Sequence, residues 1–106
     1  LPHVMVPINA PPEKLESIIN ALRAMPNFGG LAVTIPHKMP LAELCDSLGT
    51  AALFTGVVNA VRFDDAGTMH GDNFDGVGFV AGAIDNGYGV AHRAILLIGA
   101  GGAAPP

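Results

Sequence analysis

The stretch Val57-Val58-Asn59-Ala60-Val61-Arg62-Phe63-Asp64-Asp65-Ala66-Gly67-Thr68-Met69-His70-Gly71-Asp72-Asn73-Phe74-Asp75-Gly76 decides how this chain is read. An apolar strand over residues 57–63 meets the turn Asp64-Asp65-Ala66-Gly67, where Gly67 can take a positive φ. Residues 68–71 are expected to return as its hairpin partner. A helix is then predicted from Gly76 to about Asn86, ended by Gly87. Working outward, Pro11 and Pro12 open an earlier helix with Glu13 and Glu16 in its first turns, where the helix dipole favours anions. Its apolar positions Leu15, Ile18, Ile19 and Leu22 form one stripe, and Pro26, Gly29 and Gly30 stop it. Short strands are predicted at 3–8 and 31–35, a helix over about 40–44, and another turn or two over 50–54. Residues 94–98 form a continuous apolar run, the pattern of a parallel strand covered on both faces. Strands alternating with helices predict an α/β fold.

The composition narrows the function. The chain has 106 residues, enough for one compact domain, and half are apolar, so it can bury a core. Five basic and nine acidic residues give a net charge of −4, which argues against nucleic acid or an anionic membrane as partner, because both need clustered Lys and Arg. The 14 glycines and nine prolines follow no repeat period. One cysteine, Cys45, excludes an intramolecular disulfide and points to a reducing, cytoplasmic setting. The longest apolar stretch, 94–106, falls short of the ~20 residues of a membrane span. The start at Leu1 and the end at Pro106 suggest that the chain is not a complete gene product.

Two groups of residues carry chemistry. At the C-terminal end, Ile95-Leu96-Leu97-Ile98-Gly99-Ala100-Gly101-Gly102-Ala103-Ala104 runs from the apolar stretch into a glycine-rich turn. Gly99, Gly101 and Ala104 have the G-x-G-x-x-G/A spacing that lets a backbone approach a pyrophosphate. Taken alone, the turn is equally compatible with a glycine-rich tail. The middle of the chain holds Val33-Thr34-Ile35-Pro36-His37-Lys38, Gly56-Val57-Val58-Asn59 and Gly71-Asp72-Asn73-Phe74-Asp75-Gly76. A lysine beside a carboxylate can shuttle a proton to or from a substrate hydroxyl, and Lys38 is one of only two lysines. Each residue also has a plainer reading. Lys38 can be a solvated loop lysine. Asp75 can be a helix N-cap, with Asp72 or Asn73 able to cap in its place. Asn59 can satisfy backbone groups inside the sheet.

Taken together and in order, these segments resemble the shikimate dehydrogenase family, with Lys38 and Asn59 21 residues apart and Asn59 and Asp75 16 apart. The resemblance implies a three-layer α/β/α substrate-binding domain of a two-domain dehydrogenase, ending on the first strand of a Rossmann domain. It places that substrate-binding domain at residues 1–93, without its N-terminal strand and loop, and the start of the dinucleotide-binding domain at 94–106. Lys38 and Asp75 match the catalytic pair, Thr34 and Asn59 match substrate-binding positions, and Gly99, Gly101, Gly102 and Ala103 match the cofactor loop. The implied reaction is the reversible, NADP-linked reduction of 3-dehydroshikimate to shikimate in aromatic amino acid biosynthesis, with a small, shikimate-like molecule as the partner. The chain alone is expected to be inactive, and a homodimer is among the assemblies open to the complete protein.

Two positions depart from the family pattern. Ala32 stands where an Asn is usual and Phe74 where a Thr is usual. Loss of an amide bonded to a substrate hydroxyl removes about 0.5–1.5 kcal/mol of recognition. The alternatives are therefore a paralogue acting on quinate or another cyclic hydroxy acid, or a binding module that holds a small ligand without turnover. No metal site is expected, because the four His are scattered and Cys45 has no Cys partner.

Overall fold

The computed structural model describes residues 2–100. A 3-10 turn over Pro12–Lys14 leads into helix α1 (Leu15–Arg23), with the Lys14 N–H donating to the Pro11 carbonyl at 2.9 Å. There follow strand β1 (Gly30–Ala32), helix α2 (Lys38–Leu44), strand β2 (Ser47–Leu48), helix α3 (Thr50–Thr55), strands β3 (Ala60–Phe63) and β4 (Met69–Asp72), and helix α4 (Asp75–Asp85). The α/β class read from the sequence holds. No helix among the described residues is long and apolar enough to cross a membrane.

The sheet has the order β1-β3-β4-β2. Strands β3 and β4 pair antiparallel across the predicted hairpin, with Val61 opposite Gly71 and Phe63 opposite Met69. Gly67 turns the chain at φ 77°, as its place in the turn requires. Side chains alternate across a sheet, so one row sends Leu31, Val61 and Leu48 toward the helices, and the next carries Arg62, His70 and Ser47 on the other face. Gly71 belongs to the first row because nothing larger fits: a Cβ there would lie 2.7 Å from Cys45 Sγ and 2.8 Å from Val58 Cγ1.

Leu15 and Ile19 of α1, Leu41 and Ala42 of α2, and Ala52 of α3 pack with Val58, Val61 and Met69 into a single cluster. Each large side chain buried here contributes roughly 1.5–3 kcal/mol. The cluster presses the start of α2 and the loop before β3 against one end of the sheet, and the polar segments converge there. Among the described residues one helix layer thus covers one face, where the resemblance implied a layer on each. On the other, Ala32, Arg62 and Ser47 are exposed and His70 is half-buried.

Two predicted strands are not formed. Residues 3–8 run as irregular chain with Val4 92% exposed, and residues 94–98 do the same with Ile98 89% exposed. The cause is the same in both. A strand needs a neighbour to take its N–H and C=O groups, and neither segment meets one among the described residues. A helix satisfies its own backbone, so α4 forms although none of its residues is buried. The remaining differences are smaller: β1 is shorter than the predicted 31–35, β3 begins at Ala60 instead of residue 57, α2 begins at Lys38 instead of about Pro40, and β2, absent from the sequence reading, is only two residues long.

Candidate active site

Lys38 opens α2 immediately after the turn Thr34-Ile35-Pro36-His37, whose ends are joined by the His37 N–H donating to the Thr34 carbonyl at 3.0 Å. The loop before β3 is strapped to this turn. The Val58 N–H donates to the Lys38 carbonyl at 3.0 Å and the Val33 N–H to the Asn59 carbonyl at 2.7 Å. From the third direction comes the turn between β4 and α4, held to the same loop by the Asn59 N–H donating to the Asp72 carbonyl at 3.0 Å.

Asp75 is the hub where these segments meet. Lys38 Nζ donates to its Oδ2, and Asn59 Nδ2 donates to its Oδ1 at 2.7 Å. The Lys38 side chain is 13% exposed and that of Asp75 38%, so the pair is sheltered but reachable. The hydrogen bond from Lys38 holds the Asp75 carboxyl below the usual carboxylate range, the bond from Asn59 adds to this, and partial burial opposes both. At neutral pH the site therefore presents an ionised Asp75 carboxylate tied to Lys38. The alternative roles weighed for these residues separate cleanly. Asp75 is the first residue of α4, but its carboxylate faces Lys38 and Asn59; Asn73 Oδ1 takes the Asp75 N–H at 3.1 Å instead. Asn59 does serve the backbone as well, accepting the Phe74 N–H on Oδ1 at 2.9 Å.

Thr34 lies on the turn leading to Lys38 with an exposed side chain that makes no hydrogen bond among the described residues. Gly99 has φ 99°, and no strand leads into it among the described residues. Gly101, Gly102 and Ala103 lie outside the described residues. Ala32 is exposed at the end of β1, and the Phe74 ring is 56% exposed beside Asp75. An apolar groove of about 560 Å³ runs between α3 and α4, with Phe54, Thr55, Asn73 and Val77 in its walls.

Two features were missed by sequence reasoning. Asp72 caps α3 from across the sheet, its Oδ1 accepting the Ala52 N–H at 3.0 Å and the Asn73 N–H at 2.8 Å. A second polar chain joins Ser47 Oγ to His70 Nδ1 (2.5 Å) and His70 Nε2 to Asp64 Oδ2 (3.1 Å). No periodic signal announces either one, because both link residues brought side by side only by strand pairing.

A small α/β domain thus gathers a lysine, a carboxylate and an amide at one end of its sheet, sheltered and joined by hydrogen bonds. Known proteins make that class specific. The profile of the shikimate dehydrogenase substrate binding domain matches residues 1–61, and the chain belongs to that family. It is 42% identical over 104 residues to the shikimate dehydrogenase (NADP(+)) of Rubrobacter xylanophilus, an alignment that covers 98% of this chain and 36% of that protein. The chain thus spans about a third of the length of the curated relatives it matches. Among solved structures, it superposes with a TM-score of 0.82 and 32% identity on the Listeria monocytogenes shikimate 5-dehydrogenase in complex with shikimate and NAD, covering 92% of this chain and 33% of that one. The ligand-free 5-ketofructose reductase of Gluconobacter sp. strain CHM43 gives a TM-score of 0.77 at 29% identity, with 92% and 34% covered.

Proposed function

We propose that this chain is the substrate-binding part of an NADP-linked shikimate dehydrogenase, and that Lys38 and Asp75 move the proton of the substrate hydroxyl. The observation that carries the proposal is the pairing of Lys38 Nζ with Asp75 Oδ2 while Asn59 holds the other carboxylate oxygen. In the oxidative direction, a substrate hydroxyl placed between Lys38 and Asp75 gives its proton to this pair as the carbonyl forms. Reduction runs the same transfer backwards. Asn59 keeps the carboxylate from rotating, so the lysine is aimed before substrate arrives. Thr34, on the exposed turn, offers a hydroxyl to the substrate. The nicotinamide cofactor named for the relatives would supply or accept the hydride. Gly99, Gly101, Gly102 and Ala103 are the residues that would hold it, and the chemistry assigned to this chain is confined to binding and proton transfer.

On this reading, residues 1–93 form the substrate-binding domain and 94–106 open the cofactor domain. The irregular chain that follows α4 supports a boundary there. The free, half-buried Cys45 fits a cytoplasmic protein. A second substrate reading is favoured by one observation, the 56% exposure of Phe74, the residue before Asp75, where the family pattern has a Thr. It assigns the pocket to quinate or another cyclic hydroxy acid. The test is the full-length enzyme assayed with shikimate and quinate side by side. Lys38→Ala is expected to lower kcat by roughly 10²–10⁴-fold with little change in KM. Undiminished turnover in that variant would remove Lys38 from the mechanism, and turnover of quinate alone would establish the second substrate.

A further inference from the structure

Asn73 is a buried polar residue, 3% exposed, in the turn that delivers Asp75 to the site. Three consecutive backbone N–H groups of that turn are held by side-chain oxygens: Asn73 by Asp72 Oδ1 at 2.8 Å, Phe74 by Asn59 Oδ1 at 2.9 Å, and Asp75 by Asn73 Oδ1 at 3.1 Å. Each of these three side chains has a second attachment to another element. Asp72 reaches the first turn of α3 through the Ala52 N–H, and Asn59 reaches the Asp75 carboxylate. Asn73 Nδ2 points to Thr55 Oγ1 at 3.4 Å, at the last residue of α3. The Thr55 hydroxyl gives its proton to the Ala51 carbonyl at 2.9 Å, which leaves a lone pair facing the Asn73 amide.

We infer that Asn73 is a positioning residue for the proton-transfer pair, clamping the backbone of Asp75 to α3 so that its carboxylate stands at the correct angle to Lys38. The inference rests on the role proposed for Lys38 and Asp75. The amide acts at the main chain of Asp75 and touches neither Lys38 nor the carboxylate. A buried amide that merely filled space would have no need of both ends. Here the oxygen fixes the start of α4 and the nitrogen fixes the end of α3, so the two helices and the carboxylate move as one body. The charged group facing the Asp75 carboxylate is Lys38 from α2.

The experiment compares Asn73→Ala, Asn73→Ser and Thr55→Val in the full-length enzyme, with kcat, KM, the pH profile of kcat and the titration of the Asp75 carboxyl carbon by NMR as readouts. Asn73→Ala is expected to lower kcat by about 10- to 100-fold at nearly constant KM, the scale of a small misplacement of a reacting group. It should also move the Asp75 titration upward, toward the ordinary carboxylate value, because a loosened carboxylate keeps less of its bond to Lys38. Ser retains an oxygen able to accept the Asp75 N–H in a turn of the same kind, so Asn73→Ser should restore the titration while still lowering the melting temperature. Thr55→Val should give a smaller shift in the same direction. Loss of stability in all three variants with an unchanged Asp75 titration and pH profile would reduce Asn73 to a structural residue and overturn the inference. Failure of the underlying reading is separable, since that would be seen as full turnover in Lys38→Ala whatever the Asn73 variants do.

Discussion

Asp75 is engaged on both carboxylate oxygens and at its backbone N–H, which makes it the fixed point of the site. A second carboxylate is held low as well. Asp64 is lowered to about 2, first by its hydrogen bond with His70 and then by the Thr68 N–H; desolvation opposes them, and the Ala66 N–H adds a smaller lowering. A carboxylate whose folded pKa lies below its unfolded value stabilises the fold at pH above the unfolded value, and that contribution is lost as pH falls through the folded one. For Asp64 the window runs from 3.8 down to about 2. Acid titration of stability should therefore show a decline in this range that is shallower in Asp64→Asn, and identical curves for the two proteins would show that the Asp64–His70 contact carries no free energy. Asp75 is shifted in the same direction and adds to the same acid limb.

At the scale of elements, α3 is too short to stand by itself and has no side-chain cap of its own. Its cap comes from β4, where the Asp72 carboxylate takes the Ala52 N–H. Gly49 makes room for this, because a Cβ at that position would overlap the Asp72 carboxyl group. Asp72→Ala is expected to destabilise the protein by about 0.5–2 kcal/mol, the usual cost of a lost N-cap. Gly49→Ala should cost at least as much in the wild-type background and distinctly less once Asp72 is Ala. That coupling is readable from a double-mutant cycle by urea denaturation, and strictly additive costs would mean that Gly49 and Asp72 do not share a contact. The cap also explains why the helix after β4 needs Asn73: Asp72 is already committed to α3.

At the scale of the molecule, the chain holds its core through one helix layer on one face of a four-stranded sheet. Its Cα radius of gyration is 15.6 Å, against about 13 Å for a compact domain of this length. The excess reflects residues 2–9 and 91–100, which are exposed throughout. The 106-residue chain carries the pair proposed to move the proton and spans about a third of the length of its curated relatives. Given shikimate and NADP, the purified chain should show no NADPH formation, although Lys38, Asn59 and Asp75 are in place; measurable reduction of NADP would refute this account.

Much of this was legible from local pattern. The hairpin follows from Asp64-Asp65-Ala66-Gly67 between apolar runs, α1 from the spacing of Leu15, Ile18, Ile19 and Leu22, and the candidate residues from three short polar segments in order. Turns, helix periodicity and capping depend on residues within a few positions of each other, so one sequence carries that information. The sequence by itself thus determined the α/β class, the family resemblance and the identities of Lys38, Asn59 and Asp75 as the residues to watch. Tertiary structure alone decided that these three meet, that Asp72 caps α3 while Asn73 holds α4, and that segments 3–8 and 94–98 stay irregular despite their strand-like composition. The reason is physical: a helix or turn closes its hydrogen bonds within its own segment, whereas a strand, a cross-strand cap or a proton-transfer pair exists only when a partner distant in sequence occupies the facing position.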